Sequence, residues 1–325
     1  MLYIDFVLPL REKALIARIR RQSRVWPGVA FGIGDDCAGL RISSGHEVLL
    51  TTDFSLEDVH FRRRWHTPEF VGHRCLTRGL SDIAAMGGKP LAAFLSLALP
   101  KDLPQKWVDR FFHGFVELAD RYKVTLAGGD VAQSPSKILA DIVVAGEVPR
   151  GQAILRSTAR PGDLLYVTGE LGGSADTLHM LMRGQKLNPK NHPRHFFPEP
   201  RLKIGRLLRE KNLATAMIDL SDGLSTDLAH ICEESEVGAR IVASAIPRAS
   251  VGKTAEIVAF DLALHGGEDY ELLFSARPTA KVPRKITGVS ITQIGQITRN
   301  RGMALITGKN KMIPLKARGW EHFSR

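Results

Sequence analysis

The chain has 325 residues, 44% of them hydrophobic and 24% charged, a composition typical of a globular protein with room for two domains. No apolar run approaches the roughly 20 residues that a transmembrane helix needs, and Asp5 followed by the basic segment 11–24 argues against a secretory signal. The net charge of +11 attracts anions, but the basic residues are scattered and Trp and Tyr are few, so we predict no nucleic-acid-binding surface.

Helices and strands alternate along the first half of the chain, as in α/β and α+β proteins. The apolar spacing predicts helices over residues 11–23, 70–86 and 104–122, the first with Leu15, Ile16 and Ile19 on one face. It predicts strands over 47–53, 91–99, 124–130 and 138–148. Pro149 and Gly151 then predict a boundary between two domains, 1–150 and 151–325.

The alternation continues in the second half. Strands are predicted over 163–169, 216–219, 239–242, 289–297 and 303–306, and another follows a turn at 265–269. Helices are predicted to begin at 171–175, to extend from Leu224 to about Ser235, and to lie around 255–264. A segment rich in Pro, His and Phe, 192–200, is predicted to be a loop.

Oxygen-bearing side chains recur where these predicted elements end or turn. The residues are Asp36, Thr51, Thr52, Asp53, Asp82, Asp130, Asp219 and Asp222. At the strand-to-helix corner that carries Asp219, Ser221 and Asp222, free backbone N–H groups leave two interpretations open. The carboxylates either cap the helix or hold a hard cation near a phosphate.

The set as a whole favours the cation. Oxygen donors without His or Cys at transition-metal spacing favour Mg²⁺ or Mn²⁺ over Zn²⁺. About six carboxylates in one cleft would repel one another strongly unless divalent ions neutralised them. Such ions also bridge the oxygens of a polyphosphate, so the residues predict an enzyme of phosphoryl transfer.

Other kinds of site lack support. Gly252, Lys253 and Thr254 match the end of a Walker A loop, but Pro247 stands where that loop needs glycine. The chain has neither Gly-x-Ser-x-Gly nor His-Glu-x-x-His, which argues against a serine hydrolase or a zinc protease. Its three cysteines are widely spaced, so we predict neither disulfides nor a zinc finger and expect a cytoplasmic protein.

Six motifs occur in order over about residues 12–323. They are Phe31-Gly-Ile-Gly-Asp-Asp36, Thr52-Asp53 with Val59-His-Phe61, Leu80-Ser-Asp-Ile-Ala-Ala-Met-Gly87, Gly128-Gly-Asp130, Ile218-Asp-Leu-Ser-Asp-Gly-Leu224 and Gly266-Gly-Glu-Asp-Tyr-Glu-Leu272. Together they resemble the thiamine-monophosphate kinase family of the aminoimidazole ribonucleotide synthetase-like superfamily. The resemblance implies two domains, with the first domain's sheet forming a barrel across a homodimer and the second domain α/β. It implies Mg²⁺-assisted, in-line transfer from ATP to thiamine monophosphate, the last step of thiamine diphosphate biosynthesis.

The resemblance also implies roles by position. The implied Mg²⁺ ligands are Asp36, Thr51, Thr52, Asp53, Asp82, Asp130, Asp219 and Asp222. Nucleotide contacts are implied for Gly129, Asp130, Arg156 and Ser221, and substrate contacts for His60, Glu268 and Trp320. Asp53, Asp130 and Asp219 are the implied catalytic residues. These types suit the chemistry, because a phosphate acceptor is mostly dianionic near neutral pH and needs no general base.

Two departures and two alternatives stand beside this resemblance. Gly79 lies where relatives often carry Asn, and Asp58 lies where Gly is usual. One alternative is another ATP-dependent enzyme of the superfamily with a different acceptor. The other is a non-catalytic, ATP-binding maturation factor. Formation of thiamine diphosphate from ATP and thiamine monophosphate discriminates among them.

Overall fold

A computed structural model describes residues 10–308 and 311–323, so Asp5 lies outside the described part of the chain. The chain folds into two compact units. The N-terminal unit comprises residues 10–83 and Lys89–Gly151, and the C-terminal unit comprises Ala84–Gly88 and the described residues from Gln152 onward. The sequence pattern does not predict that Ala84–Gly88 belongs to the second unit. Among the described residues, no helix is both long and apolar enough to cross a membrane.

The N-terminal unit is organised around a four-stranded sheet. Its helices are α1 (Glu12–Gln22), α2 (Pro68–Ala85) and α3 (Gln105–Tyr122). Its strands are β1 (Val29–Phe31), β2 (Gly39–Leu40), β3 (His46–Leu56), β4 (Lys89–Pro100), β5 (Thr125–Ser134) and β6 (Leu139–Pro149). The sheet order is β3-β6-β4-β5, with β4 and β5 parallel and the other pairs antiparallel, while β1 and β2 form a small ribbon.

Close glycine contacts hold the helices of this unit together. A Cβ at Gly72 of α2 would meet the Phe111 carbonyl of α3, and one at Gly114 of α3 would meet the Glu69 carbonyl of α2. The two helices therefore approach at backbone distance. On the sheet side of α2, Gly79 faces the buried Val144 of β6.

The C-terminal unit contains a larger mixed sheet. Its helices are α4 (Gly173–Met182), α5 (Pro193–Phe196), α6 (Leu202–Glu210), α7 (Leu224–Glu234) and α8 (Phe260–His265). Its strands are β7 (Leu164–Thr168), β8 (Ala216–Asp219), β9 (Gly238–Val242), β10 (Ser250–Val251), β11 (Glu256–Ile257), β12 (Leu272–Ala276), β13 (Lys285–Ile286), β14 (Val289–Thr298), β15 (Gly302–Ile306) and β16 (Met312–Leu315). The sheet order is β16-β15-β9-β14-β7-β12-β8, with β13 paired to β14. Short 3-10 turns lie at Arg156–Thr158, Pro189–Asn191 and Ala243–Ala245.

One apolar core supports this unit. Leu224, Leu228 and Ile231 of α7 pack against strand residues such as Ile218 of β8 and Leu273 of β12. The 3.6-residue spacing that predicted α7 is thus the spacing of the residues it buries. The predicted mixed α/β class is confirmed, and so are the predicted helices at α1, α2, α3 and α7.

Two predictions of strand ends are wrong. Thr51, Thr52 and Asp53 lie inside β3, which continues to Leu56, and not at its terminus. Gly128, Gly129 and Asp130 do not form a turn, because β5 passes through them to Ser134. In both cases pairing with a neighbouring strand continues the strand through Asp53, or through Gly128, Gly129 and Asp130, although Asp and Gly have low strand propensity.

Three smaller predictions also need correction. The helix around 255–264 begins only at Phe260, because β10 and β11 form a hairpin before it and residues 252–255 make its turn. The predicted loop 192–200 contains the short helix α5, and β13 and β16 were missed. Leu15 and Ile19 are buried as expected, but Ile16 is exposed at the edge of that apolar face.

Candidate active site

A first group of predicted site residues lies where β3 meets α2. The Thr51 hydroxyl donates a hydrogen bond to the Asp82 carboxylate, which joins the middle of the strand to the helix. Asp53, two residues along β3, has one carboxylate oxygen 4.0 Å from a guanidinium nitrogen of Arg78. Because side chains alternate along a strand, Thr51 and Asp53 share a face. Two carboxylates and one hydroxyl are thereby brought together at half-buried positions.

Thr52 belongs to the other face of the same strand. Its hydroxyl donates to a carboxylate oxygen of Asp141 on β6 at 2.9 Å. Asp141 pairs with Ser96 of β4, which in turn pairs with Asp130 of β5. Thr52 therefore lies apart from the Thr51 side chain, and Asp141 is an acidic neighbour that the sequence motifs did not single out.

A second group lines a cavity of about 540 Å³ in the N-terminal unit. Asp36 reaches it from the glycine-rich loop after β1, and Gly129 and Asp130 reach it from β5. Gly32 fixes that loop against β5, since a Cβ there would lie 2.8 Å from the Ala127 carbonyl oxygen. The volume is in the range of small-molecule sites, roughly 300–1,000 Å³, and much of the lining is aliphatic or aromatic.

Gly129 occupies this cavity wall because no other residue fits there. Its φ is +140°, and a Cβ would overlap the backbone of Leu95 on β4. A register shift between Ala93 and Phe94 accompanies the irregularity. Glycine lets the strand expose its backbone to the cavity at this point.

The two groups are not one cluster within a single chain. Asp53 lies in the row Asp53, Ile142, Leu95 and Gly129, which crosses the whole sheet. Three interstrand spacings separate Asp53 from Gly129, or about 14 Å. Within one chain, the acids of this unit therefore lie at two sites, one at each edge of the sheet, and do not share one cleft.

A third group forms at the corner between β8 and α7. Asp219 is the last residue of β8 and is buried, and Ser221 and Asp222 follow in the loop. The Glu268 N–H donates to the Ser221 carbonyl at 2.8 Å, and the Trp320 N–H donates to the Asp222 carbonyl at 3.0 Å. Backbone hydrogen bonds thus bring together five predicted site residues that are up to 101 positions apart in the sequence.

Glu268 is held in an uncommon conformation. Its φ is +64° and that of Tyr270 is +50°, so two non-glycine residues of one short loop are in the left-handed region. Arg201 anchors the end of the loop with two hydrogen bonds to Glu271, at 2.6 and 2.5 Å. Asp269 anchors its middle by accepting the Gly172 N–H at 2.7 Å. Strain held by surrounding contacts in this way is common at binding sites.

Two residues near the corner were missed by the sequence analysis. Asp227 of α7 accepts the N–H groups of Asp222 and Gly223 at 3.3 and 3.0 Å. Burial, followed by the negative charges of Asp219 and Asp222, raises the pKa of Asp227 well above its usual value. His230 lies one turn further along the helix, and its donor nitrogen is close to Asp222 and Asp227. Their spacing of three residues on a helix was the available signal.

The remaining predicted residues are placed separately. His60 is half-buried in the N-terminal unit, and its Nδ1 accepts the Leu56 N–H at 3.0 Å, which leaves the proton of a neutral ring on Nε2. Arg156 begins a 3-10 turn of the C-terminal unit and is exposed, with its carbonyl accepting the Ser235 hydroxyl. Trp320 is 54% exposed, so its ring is available to a ligand.

The comparisons with known proteins place this geometry in a family. The model of AIR synthase related protein, N-terminal domain, matches residues 34–148, and that of the C-terminal domain matches 160–308. The thiamine-monophosphate kinase of Bacillus subtilis is 36% identical over 309 residues, which cover 91% of this chain and 94% of that protein. The chain belongs to the thiamine-monophosphate kinase family.

Solved structures agree with this assignment. The crystal structure of thiamine-monophosphate kinase from Stenotrophomonas maltophilia superposes with a TM-score of 0.79 at 33% identity, covering 91% of this chain and 96% of that one. A structure of AaThiL complexed with AMPPCP and TMP superposes with a TM-score of 0.76 at 30% identity, covering 98% and 100%. The predicted family and two-domain fold class are confirmed.

Proposed function

We propose that this protein transfers the γ-phosphoryl group of ATP to thiamine monophosphate, giving ADP and thiamine diphosphate. The observation that carries the proposal is the nearly full-length match to thiamine-monophosphate kinases, one of them solved with AMPPCP and TMP. The three acidic groups described above supply the residue types that such a transfer needs.

We propose that Mg²⁺ assists the transfer. The predicted ligands are Asp36, Thr51, Thr52, Asp53, Asp82, Asp130, Asp219 and Asp222, an all-oxygen set that fits this ion. The Thr51 hydroxyl donates its proton to Asp82 and so keeps its lone pairs for a cation. Bound Mg²⁺ would offset the negative charge of two phosphates. Asp53, Asp130 and Asp219 are the residues that we propose for catalysis.

The nucleotide and the acceptor have separate proposed contacts. Gly129 and Asp130 face the 540 Å³ cavity, which suits a nucleotide, and Arg156 and Ser221 are proposed to contact the same ligand. Glu268 can pair with the thiazolium cation and Trp320 can stack on the pyrimidine. His60 completes the proposed substrate contacts through its Nε2 side. Because the acceptor is a phosphate dianion, no residue of the chain has to act as a general base.

We further propose a homodimer whose two N-terminal sheets form a barrel. Val48, Leu50 and Phe54 of β3 are 47%, 69% and 53% exposed, which is an unusual concentration of bare apolar surface on one strand. In this proposal, domain 1–150 binds ATP and Mg²⁺ and dimerises, and domain 151–325 supplies the other site residues. A cytoplasmic location is proposed because Cys37, Cys75 and Cys232 are all free.

The test is direct. The purified protein is incubated with ATP, Mg²⁺ and thiamine monophosphate, and thiamine diphosphate is measured by chromatography. Asp219→Asn should abolish the product, whereas Asp102→Asn, a change of the same kind at an exposed position, should not. If the unaltered protein forms no product, the proposal is wrong, and ATP consumption with another phosphate acceptor would favour a different enzyme of the superfamily.

A further inference from the structure

A second cavity, of about 350 Å³, lies within the C-terminal unit and is lined by none of the residues that the proposed function uses. It is bordered by the start of α4, by the segment 191–201 and by the hairpin strand β10. Its volume is at the lower end of the range for small-molecule sites, roughly 300–1,000 Å³. The cavity therefore suits a ligand of one or two rings.

The cavity is built on the loop that precedes β12. At the corner before α7, the Glu268 N–H of this loop donates to the Ser221 carbonyl at 2.8 Å. At the corner before α4, Asp269 of the same loop accepts the Gly172 N–H at 2.7 Å. Asp269 and Glu271 line the cavity, and Glu268 does not. The loop thus contacts two corners, and the cavity lies at the one that holds none of the proposed site residues.

A buried histidine presents an acceptor atom at this cavity. His192 lines it and is only 6% exposed, and its Nδ1 lies 3.1 Å from the Thr177 hydroxyl. That hydroxyl donates its single proton to the Gly173 carbonyl at 2.8 Å, so Nδ1 carries a proton and donates to Thr177. Burial lowers the pKa of His192, which keeps the ring neutral and leaves a lone pair on Nε2. Within the described part of the chain no donor is bonded to Nε2, so a ligand with an N–H group satisfies it.

The charges at the cavity wall are paired with one another. Glu271 accepts two hydrogen bonds from Arg201, at 2.6 and 2.5 Å, and Arg194 donates to Glu170 at 2.6 Å. An anionic ligand would face the carboxylates of Asp269 and Glu271 and would have to compete for arginines that already hold carboxylates. The wall therefore favours an uncharged ligand, although the chain as a whole carries a net charge of +11.

An aromatic ring completes the wall. Phe197 lines the cavity and is 40% exposed, and Pro193 and Pro198 line it beside Phe197. A partly exposed aromatic side chain of this kind offers a face on which a planar ring stacks.

We propose that this cavity binds an uncharged nitrogen heterocycle that bears an amino group, as in an aminopyrimidine or an aminopurine. The amino group donates a hydrogen bond to Nε2 of His192, and the ring stacks on Phe197. This binding is separate from the phosphoryl transfer proposed above and does not depend on which phosphate acceptor the protein uses.

A cavity that holds only water would behave differently. It would show no preference between a heterocycle and its amino derivative, because no acceptor would select the amino group. The Phe197 ring would then cover the segment 191–201 without contributing to binding. Comparing two such compounds therefore separates a binding site from a solvent-filled gap.

The test uses 2-aminopyrimidine as the probe and pyrimidine as its matched control, since the two differ only in the amino group. Each is titrated into the full chain at pH 8, where the probe and His192 are uncharged, and the amide NMR signals are followed. The signals of residues 191–199 should shift saturably with 2-aminopyrimidine. The affinity for pyrimidine should be lower by about fivefold or more.

Two variants at exposed positions complete the test. Phe197→Ala should weaken binding of 2-aminopyrimidine by about fivefold or more. Phe323→Ala, which removes another exposed ring of the same unit, should leave it unchanged. Equal affinity for the two compounds would overturn the proposal, as would equal affinity of the unaltered and Phe197→Ala proteins, or shifts centred on residues 219–222 or on the N-terminal cavity. Since no measurement involves turnover, a failure of the kinase assay leaves this result intact, and failure here leaves the kinase proposal intact.

Discussion

Gly129→Ala should destabilise the N-terminal unit and spoil the wall of its cavity. Alanine at φ +140° carries a backbone strain of about 1–3 kcal/mol. Its Cβ would also overlap the Leu95 backbone, so β5 must move away from β4 and weaken neighbouring hydrogen bonds worth about 0.5–1.5 kcal/mol each. Together these effects amount to about 3 kcal/mol, a large share of the roughly 5–15 kcal/mol that stabilises a typical domain.

The adjacent glycine provides the control. Gly128 is not in the positive-φ region, and a Cβ there would lie 3.0 Å from a ring carbon of Phe94, a side chain that can shift. Gly128→Ala should therefore lower the free energy of unfolding by about 1 kcal/mol or less. Urea unfolding followed by tryptophan fluorescence measures both variants, because three of the four tryptophans lie in this unit. If Gly128→Ala and Gly129→Ala lower the free energy of unfolding by amounts equal within about 0.5 kcal/mol, the argument is refuted.

Four further outcomes follow from the structure. Asp53→Asn should lower kcat/KM about 100-fold or more with an unchanged circular dichroism spectrum, and near-normal turnover would remove it from the metal ligands. Gly79→Asn should lower the free energy of unfolding by about 1–3 kcal/mol, because a Cβ there lies 2.5 Å from a methyl carbon of Val144. Val144→Ala should lower it by less when Gly79→Asn is present, and simple additivity of the two changes in denaturation experiments would contradict this. Leu50→Lys should give a monomer in sedimentation experiments, and an intact dimer would place the interface elsewhere. Burial raises the pKa of Asp269 to about 7. The contribution of its protonated form to stability is therefore full below about pH 4 and is lost as the pH rises through 7. Asp269→Asn should flatten this decline of the unfolding free energy with pH, and an unchanged slope would exclude Asp269 as its source.

The helices and the buried strands were predictable because their burial is periodic. Leu224, Leu228 and Ile231 repeat at the helical period and all three are buried in the core. The continuation of β3 beyond Asp53 was not readable in the same way, since Thr51, Thr52 and Asp53 interrupt the apolar run. The strand continues because residues 54–56 pair with residues 139–141 of β6, which lie far outside any local window of the sequence.

The sequence motifs marked residues of all three groups but not how those residues are grouped. The motifs around Asp36 and Asp222 lie in loops, as their residue types suggest, whereas those around Asp53 and Asp130 lie within strands. Asp227 and His230 were missed because they lie within a helix whose apolar stripe explains its pattern without them. The contact between Asp222 and Trp320 could not be predicted from the sequence either, since it is a backbone hydrogen bond and depends on neither side chain.

The separation of the acids in the N-terminal unit restricts how their charge can be neutralised. Asp53 and Gly129 are about 14 Å apart across the sheet, more than the Debye length of about 10 Å at 0.1 M salt. A cation at one edge therefore does little for the other. Arg78 lies 4.0 Å from Asp53 and partly balances that edge, and the guanidinium of Arg20 lies beside Gly34, next to Asp36, and partly balances the other. Charge at the two edges is therefore balanced separately, by a different arginine at each, and in the phosphoryl transfer proposed above a cation bound at one edge would not replace a cation at the other.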